Sequence, residues 1–388
     1  MRPPISRSGV LEGADYLIEV PEGWRGGLVV YAHGIQRGSG TGTVTAPPLA
    51  TQIVRKGHAW IASGYRAREY QPHLFIEDLI ALRQLFFKEI GQPRWTIIYG
   101  QSMGGHIAVA SLELHPGLYQ GGLAECGLVD GISIADYLLA YTAAAELIAG
   151  VPLLDAPDKQ EFARRLNEQV IPALGMPGSY TARGRQFDSV VKYLMGADAA
   201  GHDLPLRLQG LELRYLMNIT HREPDVEKEP TPGARAASTQ HVRYRIDPGL
   251  GLSEDELNAR VRRLAPAKDA RSPTVNPVYA ERTGRLTAQL LTLHETGDAW
   301  VPLSLEQSYR RRAIAAGTDG LLVQRVVRAP GHCGFESDTR ERAFDDLIRW
   351  IEQGARPAGD DVLARDLSRV GLRWTSIMYP DDPLFPRR

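Results

Sequence analysis

Cysteine is almost missing from this chain: two residues in 388, Cys126 and Cys333. That excludes a small scaffold stapled by disulfides, and no C-x-x-C pair suggests a structural zinc site. No H-E-x-x-H offers a metal on a helix, and no glycine-rich run ends in Lys-Ser/Thr, which removes the P-loop nucleotide binders. Nor is there an excess of charge of one sign. Lys+Arg is 45 against Asp+Glu 46, so nothing points to nucleic acid or an anionic membrane surface as a partner. There is no run of about 18 apolar residues, so no transmembrane helix is expected. The first residues, Met-Arg-Pro-Pro-Ile-Ser-Arg-Ser, lack the apolar core of a signal peptide. A cytoplasmic home, or a mature secreted form that has lost its signal, are the two expectations. What remains is an ordinary globular balance, 43% hydrophobic and 23% charged, long enough for one large domain with an insertion or for two domains.

One stretch organises the rest: Gly100-Gln101-Ser102-Met103-Gly104. Three fixed positions in G-x-S-x-G can arise by chance, but the flanks supply the missing context. Residues 95–99, Trp-Thr-Ile-Ile-Tyr, are aromatic and β-branched and follow Pro93, which suits a buried strand. Residues 104–114 suit a buried helix that stops before Pro116. Strand, tight turn and helix are the surroundings of a nucleophile elbow, which lifts a serine hydroxyl above a sheet. Small residues on both sides let so sharp a turn pass its neighbours.

Upstream, residues 15–20 read as a strand and 21–27 as a turn rich in Gly and Pro. Residues 28–32, Leu-Val-Val-Tyr-Ala, form a strong buried strand that runs into His33-Gly34-Ile35-Gln36. A glycine there lets the chain turn so that the next backbone N–H faces the site, as an oxyanion hole requires. The amides of Ile35 and Met103 are the expected donors, with His33 packing the turn. Residues 37–48 read as a loop, 49–56 as a short helix and 58–62 as a strand. Tyr65 and Arg66 follow it, and a surface loop is the favoured reading over pocket lining. Residues 75–90 show helical spacing of apolar side chains, and 119–129 read as a further strand with a glycine-rich exit.

This order, strand, His-Gly turn, strand, helix, strand, Gly-Gln-Ser-Met-Gly, helix, strand, resembles the α/β-hydrolase superfamily. The resemblance implies a mostly parallel sheet with helices on both faces, and a triad running Ser, Asp or Glu, then His along the chain. It calls for an acid and a histidine after two late strands, and both are present. The strand candidate 285–294 leads to Glu295-Thr-Gly-Asp298, similar to the family's acid loop. The strand candidate 321–328 leads to Pro330-Gly331-His332, similar to its histidine loop, with a closing helix at 340–352. Ser102 is then the nucleophile, His332 the base and Asp298 the acid that orients it. Glu295 and Asp130 are rival acids. His294, His106 and His115 lie in strand or helix contexts and are expected to be structural.

Cys333 directly follows His332. In the similar tannase and feruloyl esterase branch, such a cysteine is tied to one beside the nucleophile, but here Gln101 stands in that place. A Cys126–Cys333 bond is conceivable, since both would lie at the carboxyl edge of nearby strands, and two free thiols are the expected state.

The chain divides on this reading into a first part of the core (1–130), an inserted, mainly helical lid (131–284), a second part of the core (285–356) and a tail packing on it (357–388). Within the insertion, helices are expected at 134–148, 157–171, 187–195 and 206–219, then a surface excursion over 223–249 and a helix from Ser253. Gln36, Tyr65, Tyr137 and Tyr141 are the candidates for touching substrate. A serine at the elbow argues against dehalogenases and epoxide hydrolases, which are similar in fold but carry Asp there. The expected activity is hydrolysis of a small-molecule carboxylic ester through an acyl-enzyme, without cofactor or metal. Amide or peptide hydrolysis and acyl transfer use the same triad, and a non-catalytic ligand cup is the reading from another class. Homo-oligomerisation is left open.

Overall fold

The computed structural model describes residues 3–176, 178–196 and 236–375. In chain order its elements are β1 (Ile5–Leu11), β2 (Ala14–Val20), β3 (Gly27–Ala32), α1 (Ala50–Arg55), β4 (Ala59–Ser63), α2 (Pro72–Glu89), β5 (Trp95–Gln101), α3 (Met103–Leu114) and β6 (Gly121–Glu125). There follow α4 (Ser133–Ala149), α5 (Lys159–Arg165), α6 (Ile171–Leu174), α7 (Ala182–Leu194), α8 (Glu254–Arg260), β7 (Gln289–Glu295), α9 (Leu303–Ala316), β8 (Leu322–Val327) and α10 (Ser337–Gln353).

The strands form one sheet in the order β1-β2-β4-β3-β5-β6-β7-β8. From β4 to β8 every pair is parallel; β1 and β2 add an antiparallel edge. The central strands β3 and β5 are buried throughout except for the half-buried Gln101 at the end of β5, as a sheet covered on both faces requires. The pleat sorts β3 between two cores. Leu28, Val30 and Ala32 join the apolar side of α2, α3 and α4. Val29 and Tyr31 face the opposite way, against Ile53 of α1 and Phe344, Leu347 and Ile348 of α10. The expected α/β architecture is therefore observed.

Two elements were absent from the sequence reading. β1 pairs with β2 through Glu12-Gly13, both at positive φ (50° and 86°), a two-residue turn of the kind that joins hairpin strands. Its mostly polar sequence gives little apolar signal. α9 is amphipathic only weakly and ends at Gly317 in the left-handed region.

Within the insertion, α4, α5 and α7 fall where helices were expected, and Ser253 caps α8 by accepting from the Glu256 amide. The helix expected at 206–219 lies outside the described residues, as do 223–235 of the excursion. From residue 236 on, the surface reading holds only in part: Gln240, His241, Arg243, Arg245, Pro248 and Gly249 are exposed, but other residues turn inward. Ala236, Ser238, Thr239, Tyr244 and Ile246 are buried. Asp136 of α4 accepts from the Ser238 amide at 2.7 Å, and Asn258 of α8 pairs with both backbone groups of Tyr244. Prolines and charges suggested a loop; side-chain partners on other elements turn it inward.

The free-thiol expectation is also corrected. Cys126 and Cys333 are bonded, with Cα atoms 5.2 Å apart. Cys126 leaves β6 and Cys333 lies beyond β8, 207 residues later. The loop after β8 folds back across the end of β7, which brings the two within the distance a disulfide spans.

Parallel packing at the carboxyl edge leaves no room for side chains where α3 crosses β3. A Cβ at Gly104 would lie 1.9 Å from the Ala32 carbonyl oxygen, and one at Gly100 2.0 Å from the Gly104 oxygen. Gly104→Ala should therefore lower stability by about 1–3 kcal/mol or prevent folding, measured by chemical denaturation. Thiol titration of the unfolded, unreduced protein should find no free thiol, and two after reduction; two without reduction would contradict the bond.

Candidate active site

Ser102 stands between β5 and α3 with φ 54° and ψ −119°. A non-glycine residue holds such a conformation only when its surroundings impose it. Here the Ser102 amide donates to the Glu125 carbonyl at 3.1 Å, while its own carbonyl accepts from Gly105 (2.9 Å) and Leu128 (3.2 Å). β6 and the turn after it thus hold the elbow on one side. On the other, the chain leaving β3 runs close by: a Cβ at Gly34 would lie 3.3 Å from the Ser102 Cβ. The residue after Gly34, Ile35, is the most open of the group at 37% exposure. Met103 opens α3, so its amide lies at the positive end of the helix.

The three residues singled out as a triad meet. His332 Nε2 lies 2.9 Å from Ser102 Oγ, and its Nδ1 lies 2.6 Å from Asp298 Oδ2. The tautomer that satisfies both contacts has Nδ1–H donating to the carboxylate and Nε2 accepting from the hydroxyl. Asp298 is wholly buried, and its other oxygen accepts from the amides of Trp300 (2.9 Å) and Val301 (3.0 Å). Those bonds aim the carboxylate at the ring. A hydroxyl set against such an imidazole can pass it a proton while attacking an acyl carbon.

The rival acids are occupied elsewhere. Asp130 accepts from Ser133 Oγ at 2.7 Å and pairs with Arg312 at 2.8 Å. Glu295, fully buried, accepts from the Gly334 amide at 2.6 Å and the Cys333 amide at 3.3 Å. Burial pushes its carboxyl up to about 8, and the charge of Asp298 adds to the rise. Of the other histidines, His294 Nε2 meets the Val301 carbonyl at 2.7 Å. His106 sits between the Tyr70 hydroxyl (2.6 Å) and the Val278 carbonyl (3.0 Å), and its burial lowers its pKa to about 3. His115 caps the end of α3 through its backbone. His33 is buried with Nδ1 at 2.6 Å from the Gly34 oxygen and its ring centroid 4.1 Å from that of Tyr65, and burial keeps it neutral.

The candidates for substrate contact fare differently. Gln36 uses both ends of its amide on the Thr43 backbone, at 2.7 Å each, and so clasps the 36–45 loop. Tyr65 is no surface residue: it is buried at φ 65°, stacked on Phe75 with centroids 4.1 Å apart. Arg66 beside it pairs with Asp78 at 2.5 Å. Tyr137 donates to the Ala299 carbonyl at 3.2 Å, next to Asp298, and Tyr141 packs edge-on against Phe187. α4 thereby touches the acid loop.

A group that the sequence reading missed lies just behind the elbow. Glu125, buried at the end of β6, accepts from Tyr99 (2.7 Å), Gln101 (2.9 Å) and Arg340 of α10 (3.0 Å). Tyr31 donates to Gln101 in turn at 2.8 Å. The available signal was a lone acid closing an apolar strand, in Gly-Gly-Leu-Ala-Glu. Cys126, His332 and Cys333 also bring ligand-type atoms within 4.8 Å of one another. Both sulfurs are consumed in the disulfide, so neither offers a thiolate. Among the described residues no helix is long and apolar enough to cross a membrane.

No protein-family model matches the chain. The o-phthalyl amidase of Xanthobacter agilis is 30% identical over 431 aligned positions, covering 89% of this chain and 87% of the amidase. Among solved structures, feruloyl esterase B from Aspergillus oryzae aligns at 12% identity and TM-score 0.47, over 92% of this chain and 82% of that one. The acylaminoacyl peptidase of Pyrococcus horikoshii aligns at 12% identity and TM-score 0.42, over 93% of this chain but only 43% of the peptidase. With 30% identity running through most of both sequences, and with a parallel sheet turning through an elbow into α3, the chain belongs to the family of that amidase, within the α/β-hydrolase superfamily.

Proposed function

We propose that this hydrolase cleaves a carboxylic acyl bond through a covalent acyl-enzyme on Ser102. The observation that carries the reading is the unbroken chain of contacts from Ser102 Oγ to His332 Nε2 (2.9 Å) and from His332 Nδ1 to Asp298 Oδ2 (2.6 Å). His332 takes the proton as Ser102 attacks the acyl carbon, and Asp298 stabilises the imidazolium. The amides of Ile35 and Met103 receive the developing oxyanion; a lost donor of this kind typically costs about 3 kcal/mol in the barrier. The imidazolium then protonates the leaving group, and a water activated by His332 releases the acid.

A carboxylic ester is the leading substrate, because its alkoxide leaves readily. A carboxamide is the second, favoured by the amidase that shares 30% identity with this chain. Its amine must be protonated to leave, which the same imidazolium can supply. Residues 131–284, of which 177 and 197–235 lie outside the described residues, act as the lid in this scheme, with the Tyr137 contact to Ala299 as its anchor beside the acid loop. Residues 1–130 and 285–356 form the core in this scheme, and 357–388 the tail, of which 376–388 lie outside the described residues; Trp374 is buried under the Arg325 guanidinium, 4.0 Å from the ring centroid.

Treatment with a fluorophosphonate should add one adduct to the wild type, read by intact mass, and none to Ser102→Ala. Turnover of p-nitrophenyl acetate and butyrate, and of an aryl carboxamide, should fall by at least about four orders of magnitude in the variant. A wild type that takes no label, or a variant that labels equally, would overturn the assignment.

A further inference from the structure

The residue after His332 is in a conformation that its own chemistry does not favour. Cys333 has φ 64°, in the left-handed region that a side chain rarely adopts. The backbone there is gripped by both of its polar faces. Arg340 donates to the carbonyl of Cys333 at 2.7 Å and to that of Phe335. Glu295 accepts from the amides of Cys333 at 3.3 Å and Gly334 at 2.6 Å. Arg340 is itself held by Glu125, at 3.0 Å. Glu295 is the last residue of β7, only three residues before Asp298, so one strand end supports the acid and the histidine loop together.

We propose that Glu295 is a positioning residue, whose buried carboxylate sets the His332 loop for proton transfer by holding the Cys333 and Gly334 amides. This rests on the reading of His332 as the base.

The charged and titratable groups facing Glu295 are Asp298 on its own loop, His332 on the loop after β8, and Arg340 on α10. The cysteines beside it are bonded and do not titrate. Burial first, and Asp298 second, raise the carboxyl to about 8; His332 and the two amides oppose them. In the charged form both oxygens accept an amide hydrogen, and a second negative charge faces the ring that becomes an imidazolium. In the neutral form one oxygen carries a proton that neither amide can accept, so the loop is held less firmly. Activity therefore rises as Glu295 loses its proton, in a step near pH 8.

The test uses the full chain and a p-nitrophenyl ester, with kcat and KM measured from pH 6 to 10 for the wild type, Glu295→Gln and Glu295→Ala. Gln keeps the size of the side chain and one acceptor oxygen, but cannot ionise. The wild type should show the step near pH 8. Glu295→Gln should lack it, with kcat reduced about tenfold at pH 9 and KM within about twofold. Glu295→Ala should lose activity across the range; should it fail to fold, the Gln variant alone decides. A Glu295→Gln profile that superimposes on the wild type overturns the proposal while the Ser102 labelling still stands. A wild type that takes no fluorophosphonate at Ser102 removes the base reading, and this inference with it.

Discussion

The site depends on a near-collision of backbones. α3 passes β3 so closely that the Ala32 carbonyl occupies the space a side chain at Gly104 would need, and the Gly104 carbonyl does the same to Gly100. That approach forces the link between β5 and α3 into a single residue, Ser102, at φ 54°. The unfavourable conformation persists because β6 and the turn beyond it take up the hydrogen bonds of Ser102 on either side of its Cα. One geometric fact thus raises the hydroxyl above the sheet edge, starts a helix beside it and brings the His33-Gly34 turn alongside.

The histidine loop is held by different means. It has no strand or helix of its own between β8 and α10, so its position comes from partners elsewhere. The Cys126–Cys333 bond ties it to the end of β6, Arg340 takes its carbonyls and Glu295 its amides. Glu125 joins these supports to the elbow, since it binds Arg340 on one side and Gln101, the residue before Ser102, on the other. The two halves of the site are separated by 230 residues in sequence, yet they share a support at the end of one strand.

Much of this was legible beforehand. The elbow carried its own context, because β5 and α3 are apolar runs of the right length with glycines between them. Asp298 and His332 followed from the α/β-hydrolase resemblance, which calls for an acid and a histidine after late strands; His332 lies within hydrogen-bonding distance of both Ser102 and Asp298. The insertion was harder. α4 was readable from its apolar periodicity, but the charges and turns of 236–249 carry no trace of the partners that bury Ser238, Thr239, Tyr244 and Ile246 within that loop. Tyr65 was misplaced for a similar reason: its burial comes from Phe75 and His33, on other elements. β1 escaped notice because an edge strand needs little apolar surface.

Local chemistry decides whatever lies within one element and its caps: which segments are strands, where Ser102 must turn, where Ser253 starts a helix. Those properties arise from contacts between residues a few positions apart, so they can be read in order along the chain. The disulfide, the division of labour among Asp298, Glu295 and Asp130, and the clamp on the histidine loop arise from strand order. The loop after β8 reaches Cys126 only because it crosses the end of β7, and Glu295 meets the Cys333 and Gly334 amides only because β7 lies beside β8. Such pairings join residues far apart in sequence, and the order of the strands in the sheet is what brings them together.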